Sequence, residues 1–400
     1  MKFKYCFHVK VTAALLLCLG VGAQVSLAEW QPHQIKQGDG QGSHIRLPAQ
    51  RQALKIPDAK RFLPFGLVQM DNGEIALLAS REVPGFHPVI AFSSDDGDTW
   101  SKFHETPGPG RPMHLTYLGK GNVSYIVGKV RHFSSDYGRT WTKSFPVPLT
   151  KDDQTWHVEG NACVDHDANG MAVKVMESGW HLKLGKTYLD GMVAVFRYSL
   201  DGGRTWQGEV SPPQWQQCLT VGKKRFCGAG ECALVRAKNG WLVAALRTGM
   251  PTLYFGKKKN DHLTGTGVSV SKDDGKTWSE QNVLYTAGRH HANLQRLPNG
   301  DLVMSLICRC DIRSGDHLDT HMRGADALIS HDNGLTWNLD KRYTLDEYEY
   351  YDKSNWLDGK CGHIGAVVLD DGSIVTAYGK YHTAEAVLIK WRPQLRGKSK

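Results

Sequence analysis

The chain has few cysteines and, beyond its first 28 residues, no long hydrophobic run. Nine of its 400 residues are cysteines; two lie in the first 28, and the seven that remain are an odd number, which cannot all pair within one chain. No apolar stretch after residue 28 is long enough to cross a bilayer as a helix. The chain also lacks an aromatic-basic RNA motif and a recognition helix. Its formal net charge of +9 therefore favours an acidic glycan partner over nucleic acid.

The first 28 residues have the pattern of a secretory signal peptide. Lys2, Lys4 and Lys10 precede an apolar run from Val11 to Val21, and a Ser-Leu-Ala sequence ends at Ala28. We expect cleavage there, no membrane contact afterwards, and a secreted or periplasmic protein. The mature chain is predicted to be a single domain over 29–392, followed by a basic tail at 393–400. The sequence does not indicate the oligomeric state.

An octapeptide of the form S-x-D-x-G-x-T-W occurs five times, at 93–100, 134–141, 199–206, 271–278 and 330–337. An Asp side chain can bond to nearby backbone, a Gly two residues later can take positive φ, and a Trp can be buried. Each copy is predicted to form a tight hairpin turn closed by its Trp, packed against its own blade. Repeats of this kind indicate the blades of one domain.

Six apolar hairpins lie between the octapeptides, each with a glycine in its turn: Gly73, Gly121, Gly170, Gly240, Gly300 and Gly372. Their flanking runs are apolar or alternating at strand length. The fold class predicted is all-β, a six-bladed β-propeller of four-stranded antiparallel blades. A segment before Arg61 is expected to pair with the last strand, 386–391, and close the ring.

The octapeptide resembles the Asp-box, or BNR repeat, of the sialidase (neuraminidase) superfamily, over about residues 61–391. Members of that family are β-propellers that bind a substrate carboxylate with three arginines. They use a Tyr nucleophile assisted by a Glu, and an Asp as acid and base. The segment from Glu231 to Arg247 is similar to the one that carries the assisting Glu and the second Arg. Arg323, seven residues before the last octapeptide, is similar to the third Arg.

The sequence departs from that pattern in three places. Arg61 is displaced by one residue from the position of the first Arg. The loop 81–88 has no Asp where the acid/base belongs, and only Glu82 or His87 could replace it. His363 stands where the family has its Tyr nucleophile. The resemblance therefore does not supply a complete sialidase mechanism.

In a propeller, the starts of the inner strands and the ends of the strands that follow them converge at one end of the channel. Ionisable groups are seldom buried there without a task or a partner. Besides His290 and Cys308, which also fall at such positions, the sequence predicts two sets of site residues. The catalytic set is Glu231, His363, His114, His291 and Tyr378. The substrate-binding set is Arg247, Arg323, Arg61, Arg81, Glu159 and Glu177.

The remaining cysteines suggest two further features. Cys218 and Cys227 flank a short loop and are the preferred disulfide pair in an oxidising compartment. Cys308, Cys310, Cys361 and His321 offer thiolate and imidazole ligands for a structural zinc, although neighbouring strand cysteines with unrelated histidines explain the same pattern. No cofactor is required for the predicted chemistry.

Three functions fit these residues. The first is a sialidase-like exo-glycosidase that acts on acidic, carboxylate-bearing oligo- or polysaccharides. The second is a polysaccharide lyase that neutralises a uronate carboxylate with Arg and uses His or Tyr for β-elimination. The third is a non-catalytic glycan-binding propeller.

Overall fold

The computed structural model describes residues 29–183, 192–222, 224–249, 263–313, 317–319, 321–351 and 360–394. Besides one short helix, α1 (Pro213–Gln216), and a 3-10 turn (Leu339–Lys341), the regular elements of these residues are β-strands. None of the helices found there has the length and apolar character that a membrane crossing requires. The predicted signal peptide and most of the predicted tail lie outside the described residues.

Four sheets are separate antiparallel meanders of the size of a propeller blade. Sheet 1 contains β3 (Phe62–Gln69), β4 (Ile75–Glu82), β5 (Phe86–Ser93) and β6 (His104–Glu105). Sheet 2 contains β7 (Pro112–Gly119), β8 (Asn122–Val127), β9 (Val130–Ser134) and β10 (Lys143–Pro146). Sheet 3 contains β11 (His157–Val158), β12 (Cys163–His166), β13 (Ala172–Leu182), β14 (Met192–Ser199) and β15 (Gln207–Val210). Sheet 4 contains β18 (Ala229–Arg236), β19 (Leu242–Thr248), β20 (Thr266–Ser271) and β21 (Asn282–Tyr285).

A fifth, nine-stranded sheet joins the two ends of the described chain. Its strands, in spatial order, are β22 (Arg289–Arg296), β23 (Leu302–Cys308), β26 (Met322–Ser330), β27 (Tyr343–Glu349), β1 (Gln31–Gly38), β2 (His44–Lys55), β30 (Glu385–Trp391), β29 (Ile374–Lys380) and β28 (Cys361–Val368). Strand β1 meets β27 through only two residue pairs. Strand β2 pairs with β30 from Gln50 to Lys55. The segment before Arg61 therefore pairs with the last strand, as predicted.

The prediction of an all-β, propeller-like arrangement of small antiparallel sheets is confirmed. The number of separate blades differs from the prediction of six. Four blade-sized sheets stand alone, and the strands at the two ends of the described chain form one continuous sheet through β1. Six inner strands lie side by side in a ring. The contacts run from β3 to β7, β12, β18, β22 and β28, and return to β3. This ring brings the inner strand starts to one place.

The five octapeptides fold as the sequence predicts, through one repeated set of hydrogen bonds. In 271–278, the Asp273 carboxylate accepts from the Thr277 backbone N–H at 2.8 Å and from the Thr277 hydroxyl at 2.6 Å. The Ser271 hydroxyl oxygen accepts from the Gly275 N–H, and Gly275 has φ of +90°. These bonds from Thr277 lower the pKa of Asp273. The turn thus satisfies the Asp273 carboxylate and the Ser271 hydroxyl internally, while the neighbouring Asp274 carboxylate accepts from Lys174 and Arg236.

The packing of the octapeptide tryptophans differs from the prediction. Trp100, Trp278 and Trp337 are buried, whereas Trp141 and Trp206 are only partly buried. Trp278 follows β20 of sheet 4 but packs against Phe196 of β14 in sheet 3, with ring centroids 5.5 Å apart. It also lies 4.7 Å from the Trp215 ring. This turn therefore joins its blade to the preceding one, because the hydrophobic core lies between adjacent sheets.

A further hairpin precedes sheet 4. Strand β16 (Cys218–Val221) pairs with β17 (Lys224–Cys227), and the register places Cys218 directly opposite Cys227. Cys218 is disulfide-bonded. This agrees with the predicted pair. A second small hairpin consists of β24 (Asp311–Arg313) and β25 (His317–Asp319).

Trp278→Ala should destabilise the protein by about 3–5 kcal/mol, as large-to-small changes in a core do. The reason is the loss of the contacts with Trp215 and Phe196 across two sheets. Denaturant unfolding measures the effect, and Lys276→Ala in the same turn, whose side chain is exposed, is the matched control. Equal stability of the two variants would show that the turn does not tie the sheets together.

Candidate functional site

Four inner strands place an ionisable side chain at the same position. His114, Glu231, His291 and His363 are the third residues of β7, β18, β22 and β28. In each strand the register with the next strand shifts at that residue, which marks a β-bulge. A bulge adds a residue to one strand and redirects its side chain. The four groups therefore leave the regular ladder at the same end of the ring.

Three of these residues have left-handed backbone. The φ angles are +62° at His114, +27° at Glu231 and +51° at His291. The other positive-φ residues with side chains, in the part of the chain that the structure describes, lie in turns or bends. Such a conformation costs on the order of 1–3 kcal/mol and is concentrated at functional sites. The strain thus marks the end of the channel where the bulges lie.

Glu231 is held by an arginine and a histidine. Arg247, near the end of β19, donates from Nη1 to Glu231 Oε1 at 2.6 Å and from Nε to the Thr264 hydroxyl at 2.7 Å. His291 Nδ1 lies 3.0 Å from Glu231 Oε2. We assign the ring proton to Nδ1, since the ionised carboxylate can only accept. That tautomer leaves Nε2 of His291 as an acceptor.

A second arginine, Arg309, completes the cluster. Its Nε donates to the Cys361 carbonyl at 2.8 Å, and its Nη2 lies 3.0 Å from His291 Nε2. Arg247 Nη1 lies 3.3 Å from the same nitrogen. The sequence prediction missed Arg309 by one residue, because it selected Cys308 as the end of the second strand. The signal was present, because Arg309 directly follows β23 and Arg247 lies at a similar place near the end of β19.

The electrostatics of this cluster fix the charge of each group. Burial would raise the pKa of Glu231, but Arg247 and His291 outweigh it and hold that pKa well below its usual value. Burial lowers the pKa of His291 to about 4, despite Glu231. Burial and His291 likewise lower the pKa of His363. At neutral pH Glu231 is therefore ionised and the rings of His291 and His363 are neutral, beside the guanidinium groups of Arg247 and Arg309.

His363 lies beside this cluster. Its ring lies 4.6 Å from the His291 ring and 4.3 Å from the Phe65 ring. The ring is only partly buried, and so is the side chain of Glu159. Ligand atoms of Glu159, His291 and His363 lie within 4.8 Å of one another. His363 and Glu159 are thus the members of the site that solvent can reach.

Two sets of residues in the described chain bring three metal-ligand atoms together: Glu159, His291 and His363, and Glu231, His290 and His291. Both contain His291, whose Nε2 is approached by two guanidinium groups. A divalent cation about 4 Å from a guanidinium is opposed by ~8 kcal/mol at an effective dielectric constant of 20. The arginines therefore favour an anion over a cation beside His291.

The predicted zinc ligands form neither of those sets. The Cys361 thiol donates to the Cys308 carbonyl at 3.1 Å, and the Cys308 thiol lies 3.6 Å from the Cys310 carbonyl. Burial raises the pKa of both thiols. His321 stacks on Tyr351, with centroids 4.7 Å apart. A structural zinc here stays a prediction, and protonated thiols do not favour it.

Glu177 lies apart from the cluster, in a buried ion-pair network. It accepts from Arg197 Nε at 3.0 Å and Nη2 at 2.7 Å, and from Arg131. Both arginines stack on the Trp206 ring. His114 Nε2 lies 3.7 Å from Glu177. Because Glu177 has no exposed surface, the geometry assigns it to the support of sheets 2 and 3 and does not favour the predicted contact with substrate.

Three predicted residues have partners outside the cluster. Arg61 lies 3.4 Å from Glu82, and Arg81 pairs with Glu105. The Tyr378 hydroxyl donates to Asp346 at 2.6 Å, and its side chain is fully buried in the core. The geometry therefore does not favour Tyr378 as a catalytic group.

Arg323 is also buried, at the start of β26. Its Nη1 donates to the Met322 carbonyl at 2.9 Å, and burial lowers its pKa, with Cys361 and Tyr348 as neighbours. Its predicted contact with a substrate carboxylate stays a prediction.

Comparisons with known proteins agree with the fold. No protein-family model matches the chain. A sialidase of Clostridium perfringens is 23% identical over 275 residues, which are 63% of this chain and 65% of that protein. The chain thus spans less than two thirds of the length of this curated relative.

Two solved structures share the arrangement. A protein of unknown function from Dyadobacter fermentans DSM 18053 has a TM-score of 0.58 at 16% identity, covering 85% of this chain and 98% of that one. The K499G mutant of the NanB sialidase from Streptococcus pneumoniae has a TM-score of 0.51 at 11% identity, covering 85% and 70%. At these identities the likeness shows the fold. Together with the sequence relative, it confirms the resemblance to the sialidase superfamily.

The buried histidines predict a loss of stability in mild acid. Burial lowers the pKa of His291 to about 4 from 6.5, so the unfolded chain takes up this proton at higher pH than the folded chain. The stabilisation is present above about pH 6.5 and is lost as pH falls toward 4, by about 2 kcal/mol at pH 5. Unfolding free energies between pH 7 and 5 should show this slope. His291→Gln should reduce the slope and the exposed control His44→Gln should not; equal slopes in all three proteins would contradict the assignment of a neutral His291.

Proposed function

We propose that this chain is a sialidase-like exo-glycosidase that acts on acidic, carboxylate-bearing glycans. The observation that carries the proposal is the convergence of Arg247 and Arg309 on one atom, His291 Nε2, beside the ionised Glu231. Planar guanidinium groups bind carboxylates in a bidentate manner. Their burial strengthens that attraction, because it lowers the local dielectric constant.

The residues divide into binding and proton-transfer groups. Arg247 and Arg309 would hold the substrate carboxylate, with Arg323 as a further candidate from the family resemblance. Glu231 holds the His291 tautomer and balances part of the positive charge. His363 is the neutral base that solvent can reach, since its pKa is lowered. Glu159 lies on the same side and is the candidate acid.

This arrangement supports a reaction without a tyrosine nucleophile. Tyr378 is bonded to Asp346, and His363 replaces the tyrosine expected from the resemblance. A neutral imidazole accepts a proton more readily than it forms a stable bond to a sugar. We therefore propose general-base hydrolysis with His363 as the base.

One observation favours a second candidate, a polysaccharide lyase. A neutral His363 beside two arginines is also suited to removing the proton next to a neutralised uronate carboxylate. The products distinguish the two reactions, because elimination leaves an unsaturated sugar and hydrolysis does not.

We also propose the architecture and compartment that the sequence predicts. The closed ring of six inner strands supports a six-bladed propeller in which β1 joins two blades of the nine-stranded sheet. A single domain over 29–392 fits this ring. The disulfide at Cys218 supports a signal peptide at 1–28 and a secreted or periplasmic location, since disulfides persist in oxidising compartments.

The test of this function is a product assay on a panel of acidic glycans. Purified protein is incubated with sialosides and with uronate polymers, while released sugar and absorbance near ~235 nm are followed. Released acidic sugar without absorbance is the expected result. Absorbance would indicate elimination, and neither signal across the panel would favour a binding protein.

Arg247→Lys and Arg309→Lys should each lower kcat/KM for an acidic glycan by tenfold or more, which is about 1.4 kcal/mol. Lysine keeps the charge but loses the planar fork that binds a carboxylate. The matched control is Arg296→Lys, at the opposite end of the channel. Normal activity of both site variants, or a preference for a neutral glycan, would exclude the carboxylate clamp.

His363→Ala should abolish most of the turnover, by ~100-fold or more, because it removes the proposed general base. Substrate affinity should change little, since the arginines remain. The measurement is kcat beside binding affinity of the folded variant. Full activity of that variant would remove His363 from the mechanism and leave His291 as the candidate base.

A further inference from the structure

Arg111 lies at the same end of the ring as His363. It directly precedes β7, three residues before His114, and its side chain is partly buried. Its guanidinium carbon lies 4.2 Å from the centroid of the Phe86 ring. Phe86 packs against an apolar cluster that contains Phe65, and the Phe65 ring lies 4.3 Å from the His363 ring. The positive charge of Arg111 also contributes to the lowered pKa of His363, so the two side chains are neighbours.

Arg111 differs from another arginine that stacks on a phenylalanine of β5. Arg139 lies over Phe92, near the opposite end of that strand, with its guanidinium carbon 3.5 Å from the ring centroid. Arg139 also pairs with the Glu74 carboxylate, at 2.7 and 2.8 Å. Among the residues that the structure describes, no carboxylate forms an ion pair with Arg111. Because stacking leaves the N–H donors at the edge of a guanidinium group open, Arg111 can bind an anionic ligand.

The segment that carries Arg111 is fixed by hydrogen bonds. The Gly110 N–H donates to the Phe86 carbonyl at 2.7 Å, and the Tyr125 hydroxyl donates to the Pro107 carbonyl at 2.5 Å. Gly110 has φ of +116°, a conformation that favours glycine. A side chain whose backbone and ring contact are already in place loses little further freedom when a ligand binds. Arg111 is therefore pre-organised for binding.

The order of the inner strands places Arg111 and the other two arginines of the site on different sides of His363. Strand β28, which carries His363, contacts β22 on one side and β3 on the other, and β3 in turn contacts β7. Arg309 directly follows β23, the strand that pairs with β22, and Arg247 lies one sheet further, on β19. A glycan held by Arg247 and Arg309 can therefore extend past His363 toward Arg111.

We propose that Arg111, held on the Phe86 ring, forms a second anion subsite, which binds a carboxylate or sulfate group on the sugar next to the one that is released. The subsite rests on the proposed glycosidase function. Its preferred substrates are glycans with an acidic group on both sides of the cleaved bond. Arg247 and Arg309 hold the carboxylate of the first sugar, and Arg111 donates to the anion of the second. Carboxylate and sulfate oxygens accept the same charge-assisted hydrogen bonds from a guanidinium group.

The first experiment compares the hydrolysis of three sialosides, whose next sugar is neutral, carries a carboxylate or carries a sulfate ester. The unaltered protein should have a kcat/KM about tenfold higher for one or both charged substrates, which is the contribution of about one charge-assisted bond. The better of the two identifies the anion. Arg111→Met keeps an apolar side chain over Phe86. It should remove the preference and leave kcat/KM for the neutral substrate within about twofold.

The matched control is Arg139→Met, which removes the other stacked arginine of β5 and should keep the preference. Arg111→Lys keeps the charge without the planar group, so it should retain part of the preference. No preference in the unaltered protein, an unchanged preference in Arg111→Met, or an equal loss on all three substrates would overturn the subsite and leave the glycosidase function intact. Release of no acidic sugar from these sialosides or from uronate polymers would overturn both.

The second experiment measures binding without turnover. The same three sialosides are titrated calorimetrically into the His363→Ala protein, and the charged form that binds Arg111 should have a Kd about tenfold lower than the neutral form. Adding Arg111→Met should bring the Kd values within about twofold of one another. Equal affinity for all three sialosides in the His363→Ala protein would overturn the subsite.

Discussion

The site depends on one backbone feature, the β-bulge near the start of the inner strands. A regular strand would send alternate side chains into the core between the sheets, where a buried His or Glu would lack partners. The bulge redirects the third residue of four inner strands to one end of the channel. In sheet 3, Gly160 lies beside this site with φ of +90°, and a Cβ there would lie 2.5 Å from the Cys232 carbonyl oxygen. The ring of sheets provides the packing that holds these strained residues in place.

Two buried arginine and glutamate clusters occupy neighbouring parts of the ring, and they differ in access. Around Glu177, two arginines stack on tryptophan rings and face the core. Around Glu231, two arginines meet His291, beside the partly buried His363 and Glu159. A buried ion pair gives little net stability, because desolvation offsets its attraction. The partly buried His363 and Glu159 leave the Glu231 cluster accessible, whereas the fully buried Glu177 cluster joins sheets 2 and 3.

Stability and chemistry are largely separated in this fold. The repeated octapeptide turns satisfy their own hydrogen bonds, and three of their tryptophans are buried; Trp278 lies between two sheets. The residues with left-handed backbone at the site lie near the starts of the inner strands, outside these turns. Because the turns fix the sheets relative to one another, the inner strands can carry left-handed residues and buried charges without losing the fold.

The sequence by itself determined the all-β, propeller-like fold class, the octapeptide turns and the six glycine-containing hairpin turns, because short-range hydrogen bonding and strand periodicity are local properties. It identified Glu231, Arg247, His291 and His363 through their places at strand starts and ends. Only the tertiary structure decided which residues meet. It shows that Arg309 contacts His291, that Tyr378 bonds to Asp346 and that Glu177 is buried with Arg131 and Arg197. It also showed that Trp278 packs against the preceding sheet. These outcomes depend on a one-residue bulge and on the angle between neighbouring sheets, and neither has a signature in the local sequence.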